Sequence, residues 1–200
     1  MNSRRNDLTH WNEFRQGSER AFSLLFYRYS DLLLNYGYTL THDRDLIKDC
    51  IQELFLDLWR RKNQLAELEK VNAYLLQAFR RVLFRKIRQD EKQRFFQAGS
   101  DAGVILPPED HLIEAESEHI RNEYIADKLN HLPQRQREII YLKYYQNLTY
   151  EEIGEIMGLQ QQAAWNLFSR AIHKLREIMT DHRYILPSLL LVSVTFKAVF

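Results

Sequence analysis

Between Arg80 and Phe96 the chain carries seven basic residues against two acidic ones, interleaved with aromatic rings. Arg80, Arg81, Arg85, Lys86 and Arg88 supply most of that charge, and Phe95 and Phe96 follow where the helical repeat has run out, free to stack. Cations beside rings suit the backbone and unstacked bases of a single nucleic-acid strand. The alternative is a solvated basic helix whose rings are core, a reading that fits Phe79 and Phe84. A second set lies further on: Gln161, Gln162, Trp165 and Asn166, then Arg170, His173 and Lys174, share one side of a helical repeat. Amides can read base edges in a major groove, and the basic residues beyond them can meet phosphates. A third set is acidic. From Asp43 to Trp59 there are five acids against two bases, with Asp49, Gln52, Glu53 and Leu56 turned outward and Trp59 at the margin. Either this face is simply solvated, or Leu56 among the charges marks a protein partner with basic groups.

The chemistry is that of binding. No phosphate-cradling glycine loop, nucleophile elbow or dinucleotide fingerprint occurs, so nothing argues for an enzyme. The seven histidines are scattered without the spacing zinc requires, which predicts no metal and no cofactor. Cys50, the single cysteine, falls on an apolar helical face and reads as a buried thiol in a reducing cytoplasm. A net charge of +1 is too small for a non-specific polyanion binder, so nucleic-acid contact must come from charge segregated into patches. The first residues lack an apolar secretory core.

The elements that would carry these sets are helices. Six Gly and four Pro in 200 residues, with apolar positions returning at three- and four-residue steps, predict an all-α protein. Two small helical domains are expected. In the first, residues 1–96, a short opener over Leu8 to Phe14 stops at Gly17. Ser18 caps a helix through Tyr29 and Leu33, Thr41 to Asp43 cap the acidic helix, and Val71 begins the basic one. Residues 97–117, with Gly99, Gly103, Pro107 and Pro108, read as a flexible linker. Residues 118–180 form a four-helix unit: one helix from near Glu116 to Leu129, another begun by Pro133, and a terminal pair. In that pair Thr149 and Glu152 make a capping box, Gly158 ends the first helix, and Gln161 opens a second with Ala164, Phe168, Ala171, Ile172 and Leu175 buried. Such a pair is a helix-turn-helix, which places its second helix in a major groove. Residues 181–200 are an apolar tail that, interrupted by Pro187 and Lys197, falls short of the ~20 residues needed to span a bilayer. Packing on protein is expected of it in preference to membrane association.

The order of these parts resembles the extracytoplasmic-function (ECF) sigma factors of bacterial RNA polymerase. The stretch D-R-D-L-I-K-D-C-I-Q-E-L-F-L-D-L-W from Asp43 is similar to that family's polymerase-binding helix, with Gln52, Glu53 and Trp59 at its Gln-Glu and Trp. L-P-Q-R-Q-R-E-I-I-Y-L-K-Y-Y from Leu132 and L-T-Y-E-E-I-G-E-I-M-G-L from Leu148 are similar to its fourth region. The resemblance implies a promoter-specificity subunit that binds core polymerase, opens the minus-ten element with its first domain and reads the minus-thirty-five element with its second. It also implies an anti-sigma partner, and it assigns Asp49, Gln52, Glu53 and Leu56 to the polymerase clamp. Two departures stand out. Gln160, Gln161, Gln162, Ala163, Ala164, Trp165, Asn166 and Leu167 replace a polar cap followed by Thr-Val-Lys-Ser-Arg, and Phe79, Arg80 and Arg81 replace Ala-Arg-Asn. Two other readings of the sequence stay open: a regulator acting on operator duplex, and a sigma-like interaction protein that reads no DNA.

Overall fold

A computed structural model describes residues 2–97, 129 and 131–178, and every described element is helical. Helix α1 spans Asn2–Arg15 and starts well before the expected opener. It buries Trp11 and Phe14, and the chain reverses at Gly17, whose φ of 96° is open to a residue without a Cβ. Ser18 then caps α2, Glu19–Tyr38, by accepting from the Ala21 amide at 3.2 Å. Asp43 caps α3, Arg44–Arg60, in the same way through Leu46 N–H at 2.9 Å. In both cases a short polar side chain satisfies a donor that the first helical turn leaves unpaired.

The apolar stripe of α3, Ile47, Cys50, Ile51, Leu54, Phe55 and Leu58, is buried against α2 and α4, as the periodicity predicts. Helix α2 meets α3 closely at Gly37, where a Cβ would lie 2.6 Å from Ile47 Cγ2. A short 3-10 turn, Lys62–Gln64, leads toward α4, Val71–Gln97. The segment between is tied to α1: Trp11 Nε1 donates to Ala66 O at 3.1 Å and Arg15 Nε to Leu65 O at 2.6 Å.

Helix α5, Gln134–Ile140, follows Pro133, which sits just outside the helix as its cap instead of at its first position. The chain continues as one π-helical turn, Tyr141–Tyr145, and Asn147 adopts a left-handed φ of 49° to release it. Helix α6, Tyr150–Met157, and helix α7, Gln161–Ile178, are joined through Gly158 at φ 66°. Both halves of the capping box are formed: the Glu152 amide donates to Thr149 Oγ1 at 3.3 Å, and the Thr149 amide to Glu152 Oε2 at 2.7 Å. The predicted linker, the helix expected before Leu129 and the apolar tail lie outside the described residues.

Two separate units are expected from the sequence. In the structure they touch. Gln134 Nε2 donates to Leu40 O at 2.7 Å, Tyr141 Oη to Leu32 O at 3.1 Å and Gln77 Nε2 to Glu155 O at 2.9 Å, and Lys70 pairs with Glu152.

Candidate nucleic-acid interface

Four of the five cations of the α4 set line a groove. Arg80, Arg81, Phe84, Arg85, Arg88 and Gln89 line an open cleft of about 500 Å³. It exists because α4 packs inward through Leu75, Leu76, Phe79 and Leu83, and one helix face cannot bury those residues and its arginines together. Phe79 is core, as expected. Phe84 is not: it is half-buried and lines the groove, with the Arg80 guanidinium 4.5 Å above its ring. A ring among guanidinium groups is a surface on which a base can stack and a phosphate can be held. The side chains of Phe95 and Phe96 lie outside the described residues.

The five cations of the set are not equivalent. Arg81 and Arg88 are exposed, and Arg81 leans on Gln77 Oε1 at 2.5 Å. Arg85 and Lys86 both reach the Glu53 carboxylate on α3, Lys86 at 3.2 Å. Arg80 is the deepest. Its Nε donates to Glu138 Oε1 at 2.7 Å, and Tyr36 Oη donates to the same oxygen at 2.6 Å. Glu138 is fully buried, so α2, α4 and α5 meet on one carboxylate. Burial works against the Arg80 charge, but the hydrogen bond and attraction of Glu138 outweigh it and raise the guanidinium pKa. Burial, reinforced by Glu138, holds the Tyr36 phenol well above its ordinary value.

On α3, Asp49, Gln52 and Leu56 recur at helical spacing on one exposed face, with Leu56 55% accessible. Glu53 beside them is half-buried by its two basic partners. Trp59 belongs partly to the core, with its ring 5.1 Å from Phe22 and 6.2 Å from Phe14 and capped by Lys62 Nζ at 4.2 Å. On α7, Gln161, Gln162, Asn166, Arg170 and Lys174 are exposed and Trp165 is half-exposed, while Ala164, Phe168, Ala171 and Ile172 are buried. Gln162 Nε2 donates to Asn166 Oδ1 at 3.4 Å, and Lys174 Nζ pairs with Glu177 at 3.0 Å.

A basic groove on one module and an exposed polar helix on a helix-turn-helix fit DNA, and comparison with known proteins decides between kinds of DNA binder. Residues 25–93 match the family described as Sigma-70 region 2, and residues 129–177 match Sigma-70, region 4. Together they take in more than half of the chain. The chain belongs to the sigma-70 family. Among its relatives are RNA polymerase sigma factor YlaC of Bacillus subtilis (strain 168) and ECF RNA polymerase sigma factor SigK of Mycobacterium sp. (strain KMS). The first is 24% identical over 159 residues, 80% of this chain and 92% of the relative; the second is 26% identical over 145 residues, 70% of this chain and 75% of the relative. The fold is shared with the sigma factor RpoE of Bartonella quintana, solved with the anti-sigma factor NepR. That likeness has a TM-score of 0.63 at 18% identity and covers 81% of this chain and 98% of the other.

The protein is thus an ECF-type sigma factor of RNA polymerase, serving transcription initiation. Three residues that matter to this sigma factor escape sequence reasoning. Tyr36 and Glu138 read as ordinary helical residues, because 102 residues of chain separate them. Gly154 lies inside α6, yet a Cβ there would come 2.6 Å from the carbonyl oxygen of Leu159 in the turn. A glycine within a short helix that precedes a tight turn is the signal that could have found it. No helix among the described residues is long and apolar enough to cross a membrane.

Proposed function

We propose that this sigma factor engages its partners through three separate surfaces. The face of Asp49, Gln52 and Leu56, flanked by Glu53 and Trp59, meets core RNA polymerase. The α4 groove, with Arg80, Arg81, Arg85, Lys86 and Arg88, holds the promoter where its strands are opened. Gln161, Gln162, Trp165 and Asn166 face duplex base edges, with Arg170 and Lys174 toward phosphates. The observation that carries this reading is the α4 groove, where a ring sits among four arginines. Guanidinium groups grip phosphate without regard to sequence, and an aromatic face accepts any base. The chain contributes binding and no bond chemistry, and works in the cytoplasm.

Division into a first domain, 1–96, and a second, 118–180, is part of the same reading, since the two DNA surfaces must reach different promoter elements. An anti-sigma protein is the expected regulator, as the relative RpoE has one in NepR. The tail from residue 181 is proposed to pack on protein.

Run-off transcription with purified core enzyme on genomic fragments tests this. New start sites that depend on the chain are expected, and the double variant Asp49→Lys, Leu56→Arg should lose both core binding and those starts. No core binding by the wild-type chain, together with no new start, would overturn the reading. Glu53 is the wrong residue for that test, because reversing its charge also releases Arg85 and Lys86.

A further inference from the structure

Glu138 is the one carboxylate among the described residues with no solvent exposure, and both of its side-chain donors belong to the other half of the molecule. A carboxylate taken out of water must be met by donors or lose several kcal/mol of hydration. Tyr36 on α2 and Arg80 on α4 meet it only while α5 is docked. Arg80 is also the least exposed of the cations that line the α4 groove, with 20% of its side chain exposed. The carboxylate therefore occupies the guanidinium that a strand in the groove would be expected to reach.

We propose that Glu138 acts as an internal substitute for a nucleic-acid phosphate: docked on Arg80, it latches the two halves together, and a DNA strand entering the α4 groove competes for Arg80 and releases the latch. This rests on the reading that the groove takes DNA. The remaining side-chain hydrogen bonds and ion pair between the halves suit a reversible interface. Gln134 to Leu40 O, Tyr141 to Leu32 O, Gln77 to Glu155 O and the Lys70–Glu152 pair are all polar, and water can replace each of them at little net cost. Among the described residues, the ring contact between the halves is Tyr36 against Tyr141, stacked at 5.8 Å. The buried apolar residues of the two halves also join in one cluster, so the interface is mixed in character, and motion between domains is the default unless such an interface is both large and hydrophobic.

The test uses the full-length chain with nitroxide labels at Lys48→Cys and Glu151→Cys, both exposed positions on opposite halves. Cys50 is buried and its thiol is pushed up to about 11, so it does not compete for the label. Spin–spin distances and the binding of a fluorescent 20-nucleotide single strand are measured for wild type, Glu138→Gln and Tyr36→Phe, with helicity checked by circular dichroism. Wild type should give a mainly short distance, with a minor long component that becomes dominant when the strand is added. Glu138→Gln should be long without it and bind the strand about tenfold more tightly, as expected if roughly a tenth of wild type is open at equilibrium. Tyr36→Phe, which keeps the ion pair, should shift both readings the same way but less, and serves if the first variant does not fold. A strand that binds without changing the distance, or a Glu138→Gln chain matching wild type in both readings, overturns the latch alone. If Glu138→Gln opens but neither form binds the strand, the DNA reading of the groove falls and the competition falls with it.

Discussion

Two glycines show how one missing Cβ sets a local architecture. At Gly37 the obstacle to alanine is Ile47, a β-branched and fully buried side chain that cannot swing away. Gly37→Ala should destabilise the first half by ~1–3 kcal/mol, the usual cost of overpacking a filled core, measured by urea unfolding. At Gly154 the obstacle is backbone. The Leu159 carbonyl sits where the Cβ would go, and the Leu159 amide donates to Gly154 O at 2.8 Å, so the turn cannot relax without giving up that bond. Gly154→Ala should therefore cost at least as much and reduce binding of duplex promoter DNA, read by fluorescence anisotropy. Neither close approach can be read along the chain. Gly158, in contrast, is legible, because a glycine directly after an apolar helical repeat is what a left-handed cap requires.

At the scale of the helix, stability at the start of α6 resides in its capping box. Thr149→Ala removes the acceptor for the Glu152 amide and should cost ~1 kcal/mol, seen as a lower thermal midpoint. Glu152 makes the same helix pH-dependent. Partial burial works against its charge, but hydrogen bonds from Lys70 and Thr149 outweigh that and hold its carboxyl below the usual range. A carboxyl with a depressed folded pKa contributes stability that is full above its unfolded pKa, near 4.5, and is lost as pH falls through the lower folded value. Acid titration of stability should accordingly show a smaller loss in Glu152→Gln than in wild type as pH falls through and below that range. The capping pattern and the apolar stripes of α3 and α7 were legible, since each depends on neighbours within one or two turns. The cross-helix pairing of Glu53 with Arg85 and Lys86 was not, although both flanks stood out by composition.

For the whole molecule, the charge proposed to meet DNA is segregated rather than large, so binding should be strongly salt-dependent despite a net charge of +1. Arg81→Ala and Arg88→Ala, at exposed positions of the groove, should each flatten the plot of log affinity against log salt by about one unit of slope for single-stranded promoter DNA. A flat plot for the wild-type chain would instead favour a sigma-like protein that no longer reads DNA. By itself the sequence determined the helical class, the caps and the chemical character of each face. All of these follow from residue type at spacings of three or four, where the helix itself brings side chains together. Only the tertiary structure decided that Phe84 lines a groove, that Trp59 is half core, and that Arg80 is held by Glu138 and Tyr36. Those outcomes depend on which faces of distant helices meet, and a burial or an ion pair between residues far apart in the chain leaves no periodic mark on either segment.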